Sequence, residues 1–107
     1  MSDIAFQVWP ADGDMDAYDL IPAGDGPSAA ISYARWWGQN PCNLMVMDHD
    51  PNSDRFFFAA YRVEKFPNGE WSCRTYDDFY GQLNDNERQD LDREMKAVRK
   101  VYDEVRD

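Results

Sequence analysis

Residues 55 to 76 constrain the fold of this chain more tightly than any other segment. Two aromatic-rich runs, Arg55 to Val63 and Trp71 to Tyr76, flank the dipeptide Asn68-Gly69. Both of those residues tolerate positive φ, so the pair is a strong hairpin signal and predicts antiparallel pairing of the two runs. Immediately upstream, Asn43 to Met47 is apolar in both registers, and Phe56/Phe58 and Phe57/Ala59/Tyr61 do the same in the next run. Such runs read as strands. The connector Asp48-His49-Asp50-Pro51-Asn52-Ser53-Asp54 is rich in turn formers. A three-strand meander is therefore expected over 43–76.

The rest of the chain has to build on that ladder. Ile4, Phe6 and Val8 alternate with Ala5, Gln7 and Trp9 before Pro10, which predicts a strand over 3–9. Asp12-Gly13-Asp14 is turn chemistry, and 17–21 returns as a short second strand with Tyr18 and Leu20 on one face. Gly26-Pro27-Ser28 resembles a helix entrance and Gly38 followed by Pro41 an exit, so a helix is expected over 27–37. Its stripe Ala30, Tyr33, Ala34 and Trp37 has packed-face spacing, widened by Ile31 and Trp36. From Asn84 to Asp107 the pattern is an amphipathic helix: Leu91, Met95, Val98, Tyr102 and Val105 form the stripe, and Asn84 with Glu87 forms a capping-box variant. Glu87, Asp90, Asp92 and Glu94 are expected on its exposed face, mixed with Arg88, Arg93, Lys96, Arg99 and Lys100. The order β(β)αβββα describes an α+β fold. It comprises an antiparallel sheet of four strands, or five if 17–21 pairs, with two helices in a single domain over 1–107.

Aromatic residues make up 15% of the 107 positions, enough large apolar surface to offset chain entropy despite low mean hydropathy. No run approaches the roughly 18 apolar residues a membrane helix needs, and Met1-Ser2-Asp3 lacks the start of a secretion signal, so a cytoplasmic protein is expected. In a reducing compartment Cys42 and Cys73 read as small buried hydrophobes rather than a disulfide.

Charge narrows the partners. The net charge of −10 disfavours nucleic acid, phosphate-rich ligands and anionic membranes, and calls for a basic partner. Through residue 54, nine aspartates (Asp3, Asp12, Asp14, Asp16, Asp19, Asp25, Asp48, Asp50 and Asp54) face Arg35 alone, a net of −8.

Motifs for chemistry are sparse. Asp48, Asp50, Asn52 and Asp54 open like a calcium loop, yet Ser53 replaces the turn glycine and Ala59 the closing glutamate. Asp12, Asp14 and Asp16 repeat that opening, with Ala17 and Ala23 at the failing positions. His49 is the only histidine and sits in a turn, so a mechanism built on Asp48, His49 and Asp50 is the alternative for a small enzyme or metal-dependent regulator. No phosphate loop, zinc ligand set or basic RNA-binding face is present, and neither a cofactor nor a metal is expected. Tyr76-Asp77-Asp78-Phe79-Tyr80-Gly81 mixes rings with carboxylates outside any periodic run, a composition suited to an anchor-and-rim surface.

In size, charge and aspartate-rich loops (Asp12/Asp14/Asp16/Asp19, Asp48/Asp50/Asp54 and Asp77-Asp78), the chain resembles the small acidic anti-defence proteins of phages and mobile elements, including anti-CRISPR and antirestriction proteins. The resemblance implies a non-enzymatic inhibitor whose carboxylates stand where duplex phosphates would lie, occupying the basic nucleic-acid channel of a host complex. Under it Asp12, Asp14, Asp16, Asp19, Asp48, Asp50, Asp54, Asp77, Asp78, Phe79 and Tyr80 are the expected partner-binding residues. Acidic immunity proteins that neutralise toxin nucleases are the rival class, and a homodimer formed through the C-terminal helix or a sheet edge is a third expectation.

Overall fold

The computed structural model describes residues 4–49 and 57–106. Asp50, Asp54, Arg55 and Phe56, and the side chains of Ile4 and Val105, lie outside the described residues. Five strands, β1 (Ile4–Pro10), β2 (Asp19–Ala23), β3 (Cys42–Asp48), β4 (Phe58–Lys65) and β5 (Trp71–Thr75), form one antiparallel sheet in the order β2-β1-β3-β4-β5. The α+β class and strand order agree with the sequence pattern. The second strand does pair, but as 19–23 rather than 17–21, with Phe6 opposite Ile21 and Ile4 opposite Ala23. Ala17 instead closes a 3-10 turn over Met15–Ala17, begun by Asp14 accepting from the Asp16 amide at 2.9 Å.

Three helices accompany the sheet, α1 (Gly26–Trp37), α2 (Tyr76–Phe79) and α3 (Asp85–Arg106). The first two strands and α1 form a split crossover: β2 and β3 run parallel on either side of β1, and α1 carries the chain across one face. Two cores result. Phe6, Val8, Leu44, Val46, Tyr61 and Val63 pack beneath Ala29, Ala30, Tyr33 and Ala34 of α1. On the opposite face Trp9, Met45, Met47 and Ala60 meet Phe79, Leu83, Leu91 and Val98 of α2, α3 and their linker. The double-register apolarity of β3 is thus used on both sides: Leu44 and Val46 point to α1, Met45 and Met47 to α3, and all are at most 5% exposed.

Local chemistry sets the element boundaries. Asp25, not the Gly-Pro-Ser run itself, caps α1, its carboxylate accepting from the Ser28 amide at 2.8 Å. Bonds from the Ser28 backbone and then its side chain hold the Asp25 pKa below its ordinary value. Gly26 is needed where α1 passes Phe57, because a Cβ there would lie 2.6 Å from the ring tip and 2.8 Å from the Tyr61 hydroxyl. Gly38 ends the helix at φ 81, its N–H reaching Ala34 O at 2.9 Å. The reciprocal capping box opens α3: Asn84 accepts from the Glu87 amide at 2.8 Å and Glu87 from the Asn84 amide at 3.2 Å. In the β4–β5 hairpin only Gly69 takes positive φ; Pro67-Asn68 forms the preceding turn, with Gly69 N bonded to Phe66 O and Phe66 N to Glu70 O.

Three expectations are corrected. Trp36 does not widen the packed face of α1; it is 71% exposed, since the adjacent Trp37 already occupies the inward side. Glu94 does not belong to the exposed face of α3; at 4% exposed it points at the sheet, three residues from Leu91 and four from Val98. The 76–81 segment is periodic after all, one turn of α2 followed by a 3-10 turn over Tyr80–Gln82. Cys42 and Cys73 both oppose Val63 from different strands, so β4 stands between them. Two strand spacings are roughly 10 Å, too far for a disulfide.

Candidate functional site

The sheet register sends the two acidic loops to opposite ends of the molecule. Pro10 pairs with Leu44 and Phe6 with Asp48, so the 11–18 loop leaves the sheet at the Cys42 end and the 49–57 connector at the other. Four residues of extended chain, about 14 Å, separate those two levels. The described aspartates of the acidic first half therefore lie at two ends of the sheet rather than one.

The richer of the two is at the Cys42 end. Asp12, Asp14, Asp16 and Asp19 are all exposed there. Their loop is tied to the sheet by Ala11 N, which donates to Asn43 O at 2.9 Å, and to the α3-side core by Ala11 and Met15. A cleft of about 220 Å³ opens beside it, lined by Ala11, Asp12, Trp37, Gln39, Pro41, Cys42, Asn43, Glu87 and Asp90. Glu87 and Asp90 come from the first turns of α3, far along the chain from Asp12. Arg62 reaches Glu87 at 3.8 Å and donates to Asn43 Oδ1 at 2.8 Å, while Arg93 pairs with Asp90 at 3.2 Å and also with Glu94 at 3.2 Å. Among the described residues Asp12 has no ion-pair partner. Trp37 forms one wall, its ring 5.7 Å from Tyr33, and Tyr33 contacts the exposed Trp36 ring at the same distance. Burial, then the charge of Asp19, raises the Tyr33 pKa, so this ring stays neutral under the acidic loop.

No family model, curated protein or solved structure matches this chain.

The remaining expected site residues are dispersed. At the far end Asp48, the last residue of β3, is only 5% exposed and offers a partner almost no surface. His49 is exposed and its Nδ1 lies 3.1 Å from Gln7 Nε2. Among the described residues no three His, Cys, Asp or Glu side chains are close enough to hold a metal. Asp77 and Asp78 are exposed in the first turn of α2, Asp78 accepting from the Thr75 hydroxyl at 3.0 Å. Phe79, expected as an anchor, is 0% exposed and belongs to the α3-side core. Tyr80 is committed internally: its hydroxyl donates to Asp92 at 2.7 Å, the Tyr76 hydroxyl donates to the same carboxylate at 3.2 Å, and the two rings stack at 4.8 Å. Lost hydration, then the Asp92 charge, pushes Tyr76 up to about 12, so these hydroxyls are donors and not bases at neutral pH.

Both thiols are equally inert. Burial pushes Cys42 and Cys73 up to about 11, which leaves almost no thiolate to act as a nucleophile. Sequence reasoning missed Trp36, Trp37, Glu87 and Asp90 as site residues. Their convergence depends on α1 ending, and α3 beginning, at the same end of the sheet. The adjacent tryptophans were the one available signal, since two consecutive helical residues do not share a face.

Proposed function

We propose that this protein is a non-enzymatic acidic inhibitor that binds a basic, nucleic-acid-binding protein surface through its Cys42 end, as anti-CRISPR and antirestriction proteins do. The observation that carries this reading is an indole 71% exposed on the ring cluster that walls an acidic cleft, beside four exposed aspartates. A large aromatic left in water at a charged rim has the composition of an interaction hot spot. The aspartates supply steering: complementary fields accelerate encounter, and the aromatic then supplies residence time. In this reading the carboxylates stand in for duplex phosphates, and His49, the thiols and the tyrosines play no chemical part.

Purified CRISPR effector, restriction and toxin nucleases, assayed for binding with and without duplex DNA competitor, test the proposal. A bound nuclease should be released by duplex DNA and by raising salt from about 0.05 to 0.3 M, which shortens the screening length from roughly 14 to 6 Å. Asp12→Lys, Asp14→Lys and Asp16→Lys together should weaken binding at least about tenfold. Binding that survives the triple reversal, or that ignores duplex DNA, removes this function. Capture of toxin nucleases alone moves the chain to the immunity class.

A further inference from the structure

We propose that the cleft at the Cys42 end receives one arginine side chain of the basic partner, its guanidinium lying against Trp37 and donating to Asp12 and the neighbouring carboxylates. This deepens the binding function proposed for the same surface and rests on it. Three features select that occupant.

The first is a local charge deficit. Among the described residues three carboxylates line the cleft, Asp12, Glu87 and Asp90, and no cation does. Two guanidiniums outside the lining are shared among them: Arg62 serves Glu87, and Arg93 is divided between Asp90 and Glu94. Asp12 is left with no ion-pair partner among the described residues, so the cleft is at least one positive charge short. The second is the wall. Trp37 is half-buried, packs against Tyr33 with ring centroids 5.7 Å apart, and lines the same volume of about 220 Å³. Tryptophan is the best cation–π acceptor, and a planar guanidinium stacks on it while its edge N–H groups remain free to donate.

The third is spacing. These carboxylates surround one cleft, yet no three of the described acidic, histidine or cysteine side chains are close enough to chelate a metal ion. A delocalised cation with five donors spread along a fork reaches separated carboxylates that a compact ion does not. The protein already displays the pairing, because Glu87 and Asp90 each hold a guanidinium of this chain. Lysine offers a point charge and no plane to stack, so it fits the deficit but not the wall.

The test is a chemical-shift titration of the full, isotope-labelled chain with the N-acetyl amides of arginine, lysine and citrulline at constant ionic strength. Citrulline retains the shape of arginine without its charge. Saturable shifts are expected at the Trp37 indole N–H and at the amides of Asp12, Asn43 and Asp90. Arginine should bind about threefold or more tighter than lysine, and citrulline should produce none of these shifts. Asp12→Asn should weaken arginine about threefold or more, while Asp103→Asn, an exposed control on α3, should leave it unchanged. Shifts spread evenly over Asp14, Asp16 and Asp103, equal response to lysine or citrulline, or indifference to Asp12→Asn each overturn the arginine site. Failure here with salt- and DNA-sensitive nuclease binding intact removes only the cleft assignment. A cleft that binds arginine while the triple reversal leaves nuclease binding unchanged removes the proposed function instead.

Discussion

Replacing Glu94 with leucine tests how α3 is held on the sheet. Glu94 is 4% exposed and accepts from Trp9 Nε1 at 2.9 Å and from Arg93 Nε at 3.2 Å. Trp9 is itself 0% exposed, so its indole N–H has no access to water. Glu94→Leu keeps comparable bulk but strands that donor, which costs about 1–3 kcal/mol. Trp9→Phe removes the donor, leaves the buried carboxylate with Arg93 alone and opens a small void, a loss of similar size or larger. In the double variant neither polar group remains, so the two losses should not add: a coupling of at least about 1 kcal/mol is expected. Urea denaturation followed by far-ultraviolet circular dichroism measures each stability, and Glu94→Leu alone should lower the melting temperature by roughly 5–15 °C. A loss below about 0.5 kcal/mol for Glu94→Leu, or additivity of the two substitutions within about 0.3 kcal/mol, refutes the buried bond as the fastening.

Trp36→Ala should leave stability within about 0.5 kcal/mol, because the ring is mostly in water, yet weaken binding to the captured nuclease by about tenfold or more in a titration. Gly26→Ala should destabilise by about 1–3 kcal/mol in the same urea assay, since the new Cβ would sit 2.6 Å from Phe57 Cζ; an unchanged midpoint would show that the Phe57 ring yields freely. The thiols make stability fall at alkaline pH. Cys42 and Cys73 ionise near 9.0 when unfolded and at about 11 when folded, so the unfolded chain binds fewer protons across that interval. Their contribution is fully present below pH 9 and is lost as pH rises through 11; denaturation midpoints measured from pH 8 to 11 should drop over that window, and alkylation at pH 7.5 should run about a hundredfold slower than for a free thiol.

Much of the architecture was legible because its causes are local. The hairpin around Gly69, the Asn84/Glu87 capping box, the end of α1 at Gly38 and the two-faced apolarity of β3 each arise within a few residues, where backbone sterics and side-chain period act directly. An antiparallel sheet of four or five strands followed from the sequence patterns, and the pairing of β2 with β1 makes it five. Even Glu94 lay on the right face by spacing, three residues after Leu91, but its polarity suggested solvent; the partner that justifies its burial, Trp9, is 85 residues away. Four-residue α2 was too short to show a period, and Phe79 consequently looked like a surface ring when it fills the core.

The candidate site was less legible, because a surface is assembled by topology. Sequence by itself determined that acidity concentrates before residue 55 and that the run 43–47 is apolar in both registers; that helices cover both faces of the sheet came from the tertiary structure. Only the tertiary structure decided how the acidity is divided. The split crossover through α1 set the strand order, and the antiparallel register between β1 and β3 then carried the Asp12–Asp19 loop and the Asp48 connector to opposite ends. The same register brought Glu87, Asp90 and Trp37 to Asp12, since elements distant along the chain meet where strands end, and no local period encodes that meeting.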